Sequence, residues 1–386
     1  MVAIPGPSII PDRVLAAMHR AMPNIYEGDI IDVSQSVIDE LPSIARTEAP
    51  AYIAIANGHG AWEMAITNTL SAGDKVLVLE SGRFAIGWGE MARSCGADVE
   101  ILPGTPRHPV DPAAVEARLA ADTGREIRAV LVVQIDTASS VHNDIAAIRA
   151  AMDAADHPAL LLVDCIASMG CVPYEMDAWG VDVTVAASQK GLMVPPGLGF
   201  VWANGRAHEA NRTAGLRTAY WDWTPRAGEG AHYLRYCGTP PVQMLWGLRE
   251  ALDMIAEEGL ENVWARHATL AGAVRAAIDA WSAPAGLEPF VAEPSARSNA
   301  VTTVLTGSID AEHLRKVCEV EAGLTLGLAL AGDHGPAFRI GHMGHLNPPM
   351  ILGTLGTIEA GLAAIGAPTG GSGAAAAAAH VGAAMR

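Results

Sequence analysis

Lysine is almost missing from this chain. Lys75, Lys190 and Lys316 stand against 22 arginines. Ordinary surface charge has gone to arginine, so a lysine kept beside an apolar stretch needs a property that arginine lacks. An amine can lose its proton and form a Schiff base, and a guanidinium cannot. Positive charge is scarce overall: the formal net charge is −17, which argues against nucleic acid and anionic membrane as partners. It leaves room for a small anionic substrate, which is read by local charge. Cysteine is sparse too. Cys95, Cys165, Cys171, Cys237 and Cys318 are odd in number and contain no CxxC pair, which excludes a disulfide framework or a zinc cluster and predicts reduced thiols in a cytoplasm. No apolar run reaches the ~18 residues of a membrane span. The opening Met1-Val2-Ala3-Ile4-Pro5-Gly6-Pro7 lacks the basic and apolar regions of a signal peptide. The expected location is therefore cytoplasmic.

What is present is globular. The chain has 386 residues, half of them hydrophobic, ample for two domains. Short apolar runs at 52–56, 75–80, 129–134, 159–164, 181–187 and 199–203 predict strands. Most are continuous, as expected for strands covered on both faces. Helical patterns at 61–70, 112–121 and 145–155 lie between them. This alternation predicts an α/β fold with a mainly parallel sheet and helices on both sides. Near residue 250 the texture changes: 244–258 and 263–281 read as long helices, 300–305 and 337–340 as short strands. We expect an N-terminal segment over residues 1–15, a large domain over 16–255, a smaller α+β domain over 256–367, and a Gly/Ala-rich tail over 368–386. Six consecutive alanines favour helix in that tail, with disorder as the alternative.

Lys190 follows the run 181–187, in Ala187-Ser188-Gln189-Lys190-Gly191. It is either a structural lysine at a strand end or a nucleophilic amine. Asp164 ends the run 159–164. A carboxylate at the carboxyl end of a parallel strand points into the crevice where such sheets bind ligands. Burying it requires a partner: a pyridinium nitrogen would serve, and a helix N-cap role is the common alternative. Twenty-six residues separate the two, enough for one crossover, so they should lie on neighbouring strands. Asn57-Gly58-His59-Gly60 joins a strand to a helix. Such a turn is either a phosphate cradle or an ordinary βα connection, and it lacks the third glycine of a dinucleotide fingerprint. Arg339, on a short strand, could grip a carboxylate through two hydrogen bonds or simply face solvent. Cys165 and Cys171 read as buried fillers, and the histidines show no metal-ligand spacing, so no metal is expected.

Together these stretches resemble the class V aminotransferases, pyridoxal-phosphate enzymes of fold type I, and within them the alanine–, serine– and aspartate–glyoxylate group. The likeness spans nearly the whole chain. It rests on Pro5-Gly6-Pro7, Asn57-Gly58-His59, Val163-Asp164 through Gly170, Ser188-Gln189-Lys190-Gly191 with Pro195-Pro196-Gly197, Tyr236-Cys237-Gly238-Thr239-Pro240, Glu258-Gly259-Leu260-Glu261-Asn262 and Phe338-Arg339-Ile340-Gly341. It implies a seven-stranded sheet in the large domain and pyridoxal 5'-phosphate (PLP) as cofactor. Lys190 would bind the cofactor covalently and shuttle the proton, and Asp164 would hold the pyridine nitrogen. Asn57, Gly58, His59 and Gln189 would line the phosphate or ring hydroxyl. Phe84 would stack on the ring beside Ile166, and Thr137 would touch the hydroxyl. Tyr236 and Thr239 would reach the phosphate of a neighbouring subunit, so a homodimer with shared sites is implied. Arg339 would hold the substrate carboxylate.

One segment departs from the resemblance. The family commonly shows His-x-Glu-Ser/Thr-x-Thr-Gly, and here the stretch reads Gln134-Ile135-Asp136-Thr137-Ala138-Ser139-Ser140. The activity implied is a ping-pong transfer of an amino group from a small L-amino acid (serine, alanine or aspartate) to glyoxylate or a similar 2-oxo acid. The rivals are a pyridoxamine–pyruvate or 2-aminoethylphosphonate aminotransferase and a desulfurase. From another class comes a catalytically idle PLP-fold binding protein. A desulfurase needs a mobile loop cysteine, whereas Cys318 falls in a helical pattern.

Overall fold

The computed structural model describes residues 1–228, 230–330 and 335–386. Numbered along the chain, the strands are β1 (Val2–Ala3), β2 (Ala51–Ala56), β3 (Lys75–Leu79), β4 (Asp98–Leu102), β5 (Ile127–Val133), β6 (Leu160–Asp164), β7 (Val183–Ala187), β8 (Gly197–Ala203), β9 (Glu288–Pro289), β10 (Val301–Leu305), β11 (Thr325–Leu328) and β12 (Ala337–Gly341). They form a seven-stranded sheet, β2-β8-β7-β6-β5-β3-β4, and a five-stranded sheet, β1-β11-β12-β10-β9.

The larger sheet is the α/β core read from the sequence. Its strands are covered on both faces, and alternate residues feed opposite cores. Leu77, Val130, Leu161 and Val163 pack into one apolar cluster, and Val76, Leu131, Leu162 and Val185 into the other. That explains the continuous apolar runs. The seventh strand, β4, had no such run. It is a half-exposed edge strand whose Asp98 and Glu100 interrupt the apolar pattern.

β8 runs antiparallel to both of its neighbours, β2 and β7, and the other pairs are parallel. The reason is the connection. Only residues 188–196 join β7 to β8, too few for the crossover a parallel strand requires. The chain therefore turns back at the carboxyl end of β7, and Lys190 sits in that turn.

Two long helices follow, Val242–Glu258 and Leu260–Trp281, broken at Gly259, whose φ of 85° suits glycine. The smaller sheet has its own apolar core, which includes Val304, Phe338, Ile340 and Leu355. The tail is ordered: Gly373–Ala384 is a helix lying on Leu260–Trp281. The chain's first residues join the smaller sheet, with β1 pairing parallel to β11. No described helix is long and apolar enough to cross a membrane.

Candidate active site

In the larger sheet β2, β3, β5, β6 and β7 all point the same way, and their carboxyl ends open on one edge. Each delivers a segment of the site. β2 leads to Asn57-Gly58-His59, β3 to Ser81–Phe84, β5 to Ile135–Thr137, β6 to Asp164–Ala167 and β7 to Gln189-Lys190. Gly58, His59, Trp62, Phe84, Thr137, Asp164, Ile166, Gln189 and Lys190 line one cavity of about 140 Å3. It adjoins a wider cleft of about 930 Å3, with His59, Trp62 and Phe84 forming the shared wall. Asp164 ends β6 and Lys190 lies just past the adjacent strand β7, in keeping with the spacing.

The Asp164 carboxyl is buried at the floor. Its Oδ1 accepts from the Ile166 backbone N–H at 2.6 Å, and its Oδ2 from the Trp62 indole N–H at 2.9 Å. The segment after it is a turn, so Asp164 is not an α-helix cap. Burial drives its pKa up to about 7 against these two donors, and the charge of Asp136 pushes the same way. Lys190 is shifted oppositely. Burial, with the Arg339 guanidinium as the second cause, brings its amine down to about 8. One pKa unit is worth about 1.4 kcal/mol, so both groups change protonation cheaply near neutral pH. The Lys190 Nζ donates to the Pro5 carbonyl, and Ser8 Oγ donates to the Lys190 carbonyl at 2.7 Å. The Pro5-Gly6-Pro7 opening is thus folded against the lysine turn.

The remaining candidates divide into two groups. Gly58 is buried against Ile166: a Cβ on it would fall 2.4 Å from Ile166 Cδ1, so a larger residue would require the Ile166 side chain to move. His59 lies 4.6 Å, centroid to centroid, from Trp62, and its pKa is lowered by burial. Gln189 keeps a buried Oε1 with no partner among the described residues. Arg339 is buried, not solvent-facing. Its Nη1 donates to the Thr137 carbonyl at 2.7 Å and its Nε to the Leu328 carbonyl. Arg339, Asn57, Tyr236 and Thr239 are not among the residues that line the cavity. The Asn57 side chain caps the helix Gly58–Thr69 by accepting from the His59 N–H. Tyr236 is buried with its hydroxyl against Ser34 Oγ, and Thr239 is exposed. Cys318 is buried inside the helix Ala311–Ala322, which leaves no mobile thiol there.

Two residues escaped the sequence reading. Trp62 fell within the helical pattern at 61–70 and was not singled out, yet its indole meets Asp164. The signal available was its place in the first turn after a glycine loop, where a side chain reaches the strand ends. Asp136 lay in the departing segment. It is fully buried, and its carboxylate accepts the backbone N–H groups of Phe84, Ala85 and Ala138.

Comparison with known proteins agrees with this geometry. A family model described as aminotransferase class-V matches residues 48–335. The chain is 39% identical to a serine–glyoxylate aminotransferase of Methylorubrum extorquens, over 98% of this chain and 95% of the relative. It is also 39% identical to an L-aspartate–glyoxylate aminotransferase of Paracoccus denitrificans, with the same coverage of 98% and 95%. A crystal structure of pyridoxamine–pyruvate aminotransferase from Mesorhizobium loti superposes with a TM-score of 0.89 at 28% identity, over 100% of this chain and 97% of that one.

Proposed function

The chain belongs to the class V aminotransferase family, and on that premise we propose a PLP-dependent transfer of an amino group from a small L-amino acid to glyoxylate or a similar 2-oxo acid. Serine, alanine and aspartate are the donors proposed. The observation that carries the proposal is the pair Lys190 and Asp164, an amine and a carboxylate facing one cavity with their pKa values drawn toward neutrality.

The residues present fit the cofactor. Asp164 offers a buried carboxylate to a protonated ring nitrogen, which would relieve the cost of burying the charge. Phe84 and Ile166 supply apolar lining beside Asp164 and Lys190, which suits a planar ring. The unpartnered Gln189 Oε1 waits for a donor, and the helix Gly58–Thr69 begins at the cavity, where free N–H groups favour a phosphate. When bound, the cofactor stores the electron pair released at the substrate's α-carbon.

The chain's own groups do the rest. Asp164 keeps the ring nitrogen protonated. The Lys190 amine, brought down to about 8, would hold the cofactor covalently and, once free, would accept the proton from the substrate's α-carbon. Arg339, fixed by two backbone carbonyls, would hold the substrate carboxylate with its remaining N–H donors. An acceptor as small as glyoxylate has little apolar surface, so that contact must supply much of its binding. We place the division between a large and a small domain near residue 255, where each sheet keeps its own apolar core. We also propose a homodimer. The exposed Thr239 is the better candidate to reach a partner's cofactor, because the Tyr236 hydroxyl is already engaged by Ser34.

The test is the visible spectrum of the protein loaded with PLP, recorded as L-serine, L-alanine, L-aspartate and pyridoxamine are added singly. Bleaching of the yellow band by an amino acid, absent in Lys190→Ala, is the expected result. A response to pyridoxamine alone would favour the pyridoxamine–pyruvate reaction. No response to any donor would leave an idle binding protein.

A further inference from the structure

The helix Arg83–Cys95 carries Phe84 into the cavity, yet its N-cap is Gly82, which has no side chain to satisfy the free N–H groups. The missing cap arrives from elsewhere in the sheet. The Asp136 carboxylate, just beyond β5, accepts from Phe84 N–H at 2.8 Å and Ala85 N–H at 3.1 Å through Oδ2. Its Oδ1 accepts from Ala138 N–H at 2.8 Å, closing the turn that holds Thr137. One buried carboxylate therefore joins two walls of the cavity, one after β3 and one after β5. The fit is close: a Cβ on Gly82 would lie 2.5 Å from Asp136 Cγ.

We infer that Asp136 is a positioning residue, which holds Phe84 and Thr137 at the separation a planar cofactor ring needs. Its charge suits the task. A carboxylate at a helix start is favoured by the helix dipole, and three N–H donors work against the burial that pushes its pKa up. The same charge stands behind Asp164 and contributes to that group's raised pKa. The inference rests on the reading that this cavity takes PLP.

Asp136→Asn is the test, because it keeps the shape and turns one acceptor oxygen into a donor facing donors. PLP dissociation constants are measured by absorbance titration, and ring immobilisation by visible circular dichroism of the bound cofactor. We expect the dissociation constant to rise tenfold or more and the dichroic band to shrink at least twofold. A purely structural carboxylate would lower the melting temperature and leave both cofactor readouts within twofold of wild type at 20 °C, and that result overturns the inference. Gly82→Ala is the companion variant. It displaces the Asp136 carboxylate without changing its charge, and the same two shifts are expected. Loss of folded protein in both variants would assign Asp136 to folding and also overturn the inference. A wild-type protein that binds no PLP would instead sink the functional reading, so the two failures are distinguishable.

Discussion

Asp164 and Asp136 are both buried carboxylates, and their partners separate their roles. Asp136 meets three backbone donors and holds loops together. Asp164 meets only two donors, one oxygen each, and faces the cavity with acceptor capacity to spare. Lys190 and Asp164 were legible because each follows an apolar strand, where an ionisable group is costly and so informative. Trp62 and Asp136 were not, because an indole in a helix and a carboxylate in a turn are ordinary until their contacts are known. Arg339 was open on sequence spacing alone, and burial against the Thr137 and Leu328 carbonyls decides against a solvent-facing side chain. Arg339→Ala should therefore cost about 2–5 kcal/mol in transition-state binding of carboxylate donors. The loss should appear mainly in KM in steady-state kinetics, and an unchanged KM would remove Arg339 from the substrate site.

At the scale of elements, strand runs and helix periodicity located most of the larger sheet, with boundaries shifted by a residue or two. β4 escaped because an edge strand need not be apolar, and the reversal of β8 escaped because direction depends on loop length as well as on strand pattern. The helices show how local capping divides from tertiary capping. The helix Ala311–Ala322 caps itself, with Asp310 accepting from Glu312 and His313 N–H groups at 3.0 Å. Arg83–Cys95 must borrow its cap. Asp310→Ala should thus lower stability by about 1 kcal/mol in thermal or urea unfolding and leave kcat unchanged, since the cap lies outside the site. A matching fall in kcat would mean that the small sheet moves with the chemistry.

Across the whole molecule, both chain ends are structural. The N-terminus runs from β1 in the smaller sheet to Pro5 and Ser8 against the Lys190 turn, and so links that sheet to Lys190. The C-terminal helix buries Ala377 and Val381, and Gly373 packs so closely on Trp281 that a Cβ would fall 2.3 Å from its ring. Truncation after Ala367 should uncover Trp281 and lose on the order of 2–4 kcal/mol, with kcat per folded molecule preserved. Differential scanning calorimetry beside active-site titration would check this, and a truncated protein with unchanged melting temperature would show the tail to be an ornament of the surface.

The sequence alone determined the α/β architecture, the likeness to its family and the amine–carboxylate pair, because burial and the cost of ionisable groups leave marks in local pattern. Tertiary structure decided which way β8 runs, whose N–H groups Asp136 satisfies, that Arg339 is buried and that the alanine tail is a packed helix. Those outcomes depend on contacts between residues far apart in the chain, and no local periodicity records them.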